Sequence, residues 1–151
     1  MKLKKYDRKL ISELPELVRT NVGGKRHYQT PNGSYPSITT VLSIRGKEGI
    51  YAWRKRVGNE EANRITKRAT TRGTHFHSLL EQYFLGEIDD LDTFSGNALA
   101  KNPAVWYLFL EAVQVLETKI NNIYCIEDYL YSDEYKVACS VDMITEYVGV
   151  V

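Results

Sequence analysis

The sequence predicts a mixed α/β fold, with helices through the N-terminal half and an incomplete sheet at the C-terminus. Three observations lead there. Phe76, Leu79, Leu80, Tyr83 and Phe84 recur at i, i+3, i+4, i+7 and i+8, the apolar face of an amphipathic helix. Asn102-Pro103 opens a second long helical pattern, with a capping side chain followed by a proline that belongs in a first turn. After Ile120 the spacing shortens to alternation, and Asn122–Tyr131 and Lys136–Tyr147 flank the turn residues 132–135 as an antiparallel hairpin would.

Composition sets the class. The 151 residues, 43% hydrophobic and 26% charged, suit one ordinary globular domain with a substantial core. No run of 18 apolar residues predicts a membrane span, and the basic start, with Glu13, Pro15 and Glu16 interrupting the following apolar stretch, does not read as a signal peptide. Cys125 and Cys139 make no disulfide framework, so they read as small core residues in a reducing cytoplasm. They lack paired-ligand spacing with the histidines, which argues against zinc.

The net charge of +1 hides a division. Residues 1–72 carry 17 Lys and Arg against 6 Asp and Glu; residues 73–151 carry 3 against 13. A basic surface for a polyanion is expected in the first half. Carboxylates for a hard cation are expected in the second.

In chain order, residues 1–24 read as a basic arm. Lys25–Thr30 and Ser34–Pro36 flank Pro31-Asn32-Gly33, a hairpin signal. Ser37 is placed to cap a short helix from Ile38 that ends near Gly46. A helix over Glu48–Val57 carries Trp53, Arg54 and Lys55, and one over Glu60–Ala69 carries Arg64, Lys67 and Arg68 on one face. That row suits phosphate contacts, with a solvated helix face as the plainer alternative. The helix beginning near Thr71 carries His77 and Glu81 at i and i+4 beside its apolar stripe, and Gly73 one turn earlier permits close approach by a phosphate. His75 and His77 diverge by about 200° on a helix and cannot share an ion. Residues 86–99 read as an acidic loop whose Asp89, Asp90 and Asp92 are solvated; they lack the pattern of a calcium loop. The second helix runs to about Ile120, with Val105, Leu108, Phe109, Ala112, Val113, Leu116 and Ile120 as its buried stripe and Trp106 and Tyr107 as packing residues. In the last strand Asp142 shares a face with Ala138, Ser140 and Ile144, a costly position for an unpaired charge. Glu127 has a similar but more exposed setting.

Taken together, Arg72-Gly73-Thr74-x-x-His77-x-x-x-Glu81, a strand bearing Glu127, and Ala138-x-x-x-Asp142 resemble the RecB-like branch of the PD-(D/E)XK nucleases. Pro36-Ser37-Ile38-Thr39-Thr40-Val41-Leu42, the Trp53-Arg54 helix and Val141-Asp142-x-x-x-Glu146-Tyr147 resemble most closely the mitochondrial genome maintenance exonucleases and their bacteriophage relatives. The resemblance spans residues 25–151 and implies a restriction-endonuclease-like core, of which this stretch would be the N-terminal portion. It implies a metal-dependent DNA exonuclease acting on single-stranded ends, with His77 and Asp142 as ligands of Mg²⁺ or Mn²⁺ and Glu127 as a further catalytic acid. DNA contacts are implied at Ser37, Thr39, Arg54, Lys55, Arg64, Lys67, Arg68, Arg72 and Thr74, with replication or recombination proteins as partners.

The family places an Asp/Glu-x-Lys motif on the strand after the first Asp. Here Val148–Val151 would begin that strand, so the expectation is a chain that stops short of the motif and has weak activity or none. Glu117-Thr118-Lys119 and Glu134-Tyr135-Lys136 imitate the motif but fall at a helix end and at a hairpin turn. The alternatives are a non-catalytic nucleic-acid-binding or assembly module of the same fold, and a scaffold whose charge division serves protein contacts.

Overall fold

The structure is a computed structural model describing residues 3–6, 14, 16–44, 46–88, 90–92, 94 and 102–148. The elements are β1 (Val18–Val22), β2 (Lys25–Thr30), β3 (Gly33–Pro36), α1 (Ile38–Leu42), α2 (Lys47–Val57), α3 (Asn59–Leu85), α4 (Pro103–Lys119), β4 (Ile120–Ser132) and β5 (Val137–Tyr147). The mixed α/β class expected from sequence is present. Among the described residues it comprises a three-stranded sheet, β1-β2-β3, and a two-stranded one, β4-β5.

The chain forms two compact units: Met1–Leu10, Arg64–Ile126 and Met143–Val151 in the first, Ile11–Asn63 and Glu127–Asp142 in the second.

The first unit is built on α4 and the latter part of α3. Leu79, Tyr83 and Phe84 meet Val105, Trp106, Phe109 and Val113, with Ile120 and Ile123 of β4 closing the cluster. Burying a side chain of this size contributes about 1.5–3 kcal/mol, so this cluster carries the unit. The Asn102 side chain accepts from the Val105 amide at 3.3 Å, the cap expected from Asn102-Pro103. The predicted stripe needs one adjustment: Trp106 is buried, whereas Leu108 and Tyr107 are exposed. Leu3 and Tyr6, expected in an arm, pack against this core. Of the three loop aspartates, Asp89 lies outside the described residues, and Asp90 accepts from the Asp92 amide at 2.7 Å.

A buried polar group sits at the edge of the core. The Tyr83 hydroxyl bonds the Tyr6 hydroxyl at 3.1 Å and donates to Glu117 Oε1 at 3.2 Å, and the Lys4 amide donates to the same oxygen at 2.9 Å. Lys4 Nζ donates to the Ile120 carbonyl at 2.7 Å. Burial raises the pKa of both phenols above the ordinary tyrosine value, so both stay neutral.

The second unit begins with β1, in the segment expected from sequence to be an arm. Val18-Arg19-Thr20-Asn21-Val22 pairs antiparallel with β2 through Gly23-Gly24, whose φ of +59° and +75° glycine adopts without strain. The N-terminal half is therefore less helical than predicted. The β2–β3 hairpin forms as expected, placing Tyr28 opposite Tyr35. Both rings are buried with Leu17 and Ala138, and they pack against Tyr129 and Tyr131 of β4. At the β4–β5 turn Asp133 accepts from the Tyr35 hydroxyl at 2.6 Å and from Asn32 at 2.8 Å.

α3 corrects another expectation. The two predicted helices, over 60–69 and from Thr71, are one helix of 27 residues. Thr70, Thr71 and Gly73 are weak helix formers but none breaks the backbone ladder as proline would.

Candidate metal and nucleic-acid site

β4 changes character at Glu127. Ile123 and Cys125 are buried, and continued alternation would turn residue 127 to the same inner face. Glu127 instead has φ +50° and an exposed side chain. The left-handed region costs a non-glycine residue on the order of 1–3 kcal/mol, and such positions concentrate at functional sites. Asp142, on the neighbouring strand β5, is also exposed. This corrects the expectation of a carboxylate enclosed among apolar neighbours. Ala138, four residues earlier on the same strand face, is buried, whereas Ser140 and Asp142 are exposed, so that face opens along the strand.

His77, on α3, is exposed. His77, Glu127 and Asp142 each offer one ligand-type atom, a ring nitrogen or a carboxylate oxygen, and the three atoms lie within 4.8 Å of one another. Two carboxylate oxygens and one imidazole nitrogen suit a hard to borderline divalent cation and lack the thiolates that select softer metals. Glu81, the other expected supporter of His77, is not in the group.

The remaining predicted residues divide into exposed and enclosed ones. Arg64, Lys67, Arg68, Arg72 and Thr74 are all exposed on α3. Arg64, Arg68 and Arg72, four residues apart, line a groove of about 250 Å³ with Ile65 and Ala69. The predicted row thus continues by one turn to Arg72. Gly73 has nothing within 4 Å of where a Cβ would stand, so the helix surface is open there. On α2, Lys55 is exposed and Arg54 donates to Asn63 Oδ1 at 2.6 Å.

Thr39 is exposed, but Ser37, expected to contact DNA, is buried. Its hydroxyl bonds Thr39 Oγ1 at 2.8 Å and makes no capping bond to the backbone of α1. Its amide donates to the Arg26 carbonyl, and it bridges Ala138 of β5 in parallel. Ser37 is at the predicted helix start but acts as a structural link.

Neither imitation of Asp/Glu-x-Lys lies in a core strand. Glu117 belongs to the Tyr83 network. Lys136, in the turn with φ +50°, donates to the Tyr35 hydroxyl at 3.1 Å, and this bond raises its pKa. Glu146, part of the resemblance, accepts from Asn121 and Asn122. Residues 149–151, expected to begin the next strand, lie outside the described residues.

Sequence reasoning missed the backbone at Glu127 and the β1 strand. The Gly23-Gly24 pair was the available signal for β1, since two consecutive glycines mark a tight hairpin.

Among the described residues no helix is long and apolar enough to cross a membrane. Comparison with protein families, with curated proteins and with solved structures gives no significant match.

Proposed function

We propose that this chain acts in metal-dependent phosphodiester hydrolysis of DNA, through a divalent cation held by His77, Glu127 and Asp142, on a PD-(D/E)XK-like core. The observation that carries the reading is the set of three ligand atoms within 4.8 Å, one of them on a residue with φ +50°. A backbone held in an unfavourable region, with its carboxylate exposed beside a second one, is better explained by a ligand than by packing.

Mg²⁺ or Mn²⁺ at this position would polarise a phosphate oxygen and supply a nucleophilic water near neutral pH. The chain's own residues do the rest. Asp142 and Glu127 bring negative charge that fixes the cation. His77 would offer a ring nitrogen as the third ligand. Arg64, Arg68 and Arg72 form an exposed cationic row suited to the DNA backbone. The test is end-labelled single-stranded DNA incubated with Mn²⁺ or Mg²⁺. Cleavage that is abolished by chelator and by Asp142→Asn supports the proposal; cleavage indifferent to both contradicts it.

Binding without catalysis is the second reading. The Arg64–Arg72 row favours it, because it needs no cation. Metal-independent, salt-sensitive DNA binding with no cleavage by the wild type would select it.

A further inference from the structure

The three-stranded sheet carries a cleft that neither the cation ligands nor the α3 row uses. Arg19, Thr20, Asn21, Gly24 and Arg26 line it, and it encloses about 380 Å³. The strand register explains its chemistry. Asn21 pairs with Arg26 and Arg19 with Tyr28, so Arg19, Asn21 and Arg26 share one face of the sheet. Arg19 and Arg26 are thus diagonal neighbours across β1 and β2, at a spacing of roughly 7–8 Å. Tyr28, on the same face, is buried in the unit's core, so the arginines stand where that face emerges from its packing.

The lining is rich in donors and has no carboxylate. Two guanidinium groups can only donate, and the Asn21 amide can donate as well. The sequence has no Asp or Glu between Glu16 and Glu48, so no acid in this stretch neutralises the arginines. At the turn, nothing lies within 4 Å of where a Cβ of Gly23 or Gly24 would stand, so a ligand can reach the backbone.

We propose that this cleft binds phosphate groups of a nucleic-acid backbone, as an anchoring site separate from the cation ligands. Guanidinium groups match phosphate oxygens in bidentate fashion, and the open glycine turn admits the continuing strand. The inference rests on the reading of this chain as a DNA-binding protein, and it does not require the chain to cleave.

The experiment measures fluorescence anisotropy of a short single-stranded oligonucleotide with chelator present, over a series of salt concentrations. The Arg19→Gln/Arg26→Gln variant should bind about tenfold more weakly, and its log–log salt slope should fall by about 1.4, two contacts at ~0.7 each. Arg19→Lys/Arg26→Lys should keep the slope and lose part of the affinity, which separates charge from bidentate geometry. Wild-type affinity and slope in the double glutamine variant would overturn the anchoring site and leave the DNA reading intact. A wild-type chain that binds no oligonucleotide at low salt would overturn both. Inorganic phosphate that shifts the Gly23 and Gly24 amide resonances, without any variant changing oligonucleotide affinity, would mark a small-anion pocket and also overturn the proposal.

Discussion

Glu117 and Glu127 stand ten residues apart and have opposite circumstances. Glu117, at the end of α4, accepts from Tyr83 and from the Lys4 amide, inside a group of polar atoms that satisfy one another. Its helical backbone is relaxed. Glu127 sits in a strand with φ +50°, its side chain exposed and one oxygen near Asp142 and His77. The first carboxylate holds the fold together. The second is held by the fold in a position that the fold alone does not favour. A carboxylate that serves stability should cost stability when removed, whereas one that serves a ligand should cost function and return stability.

The largest expected effect tests the functional side. Asp142→Asn should bring metal-dependent cleavage, however weak in the wild type, down to the level of the chelated control while the melting temperature moves by no more than a few degrees. The side chain is exposed and its removal empties no core. Cleavage retained within a few-fold would place the cation elsewhere.

The structural side should respond in free energy. Tyr83→Phe removes a buried hydroxyl that bonds both Tyr6 and Glu117, and takes one partner from each. A loss of about 1–3 kcal/mol in denaturant unfolding is expected, with activity per folded molecule unchanged. The same phenol predicts alkaline behaviour. Burial raises the folded pKa of Tyr83, so the folded chain holds that proton more tightly than the unfolded one. Its contribution is fully present below the unfolded value of about 10 and is lost as pH climbs above it toward the folded value. Unfolding titrations between neutral and strongly alkaline pH should therefore show a drop in the wild type that is shallower in Tyr83→Phe.

Glu127→Asn separates the two roles at one position. Asparagine tolerates a positive φ better than glutamate, so stability should hold or rise by about 1 kcal/mol while cleavage falls more than tenfold. Destabilisation with normal cleavage would class Glu127 with Glu117.

The smallest effect belongs to Gly73. Alanine there meets no atom and should stabilise α3 by about 0.5–1 kcal/mol. Weaker DNA binding in that more stable variant would show that the helix surface is left bare for a ligand.

What the sequence revealed follows from how local each signal is. α4 was legible because Asn102, Pro103 and the apolar spacing agree within a few residues. The β2–β3 hairpin was legible from Pro31-Asn32-Gly33 for the same reason. His77, Glu127 and Asp142 stood out through the resemblance and the order of its motifs, and their ligand-type atoms lie within 4.8 Å of one another. The exposure of Asp142 could not be read, because alternation says which residues share a face and not what covers it. The φ of Glu127 could not be read either, since its neighbours Ile126 and Asp128 are neither glycine nor proline and carry no turn signal. The continuity of α3 was hidden because Thr70, Thr71 and Gly73 are poor helix formers and propensity is a weak prior against tertiary contacts. The division into two units joins residues distant in sequence, and no local pattern encodes it.

The central claim is that His77, Glu127 and Asp142 hold one divalent cation. Titrating the chain with Mn²⁺ and following unbound Mn²⁺ by electron paramagnetic resonance tests it without requiring turnover. The account predicts one ion bound per chain, weakened at least about tenfold in Asp142→Asn and in Glu127→Gln. An unbound-Mn²⁺ signal that is the same for wild type and both variants would contradict it.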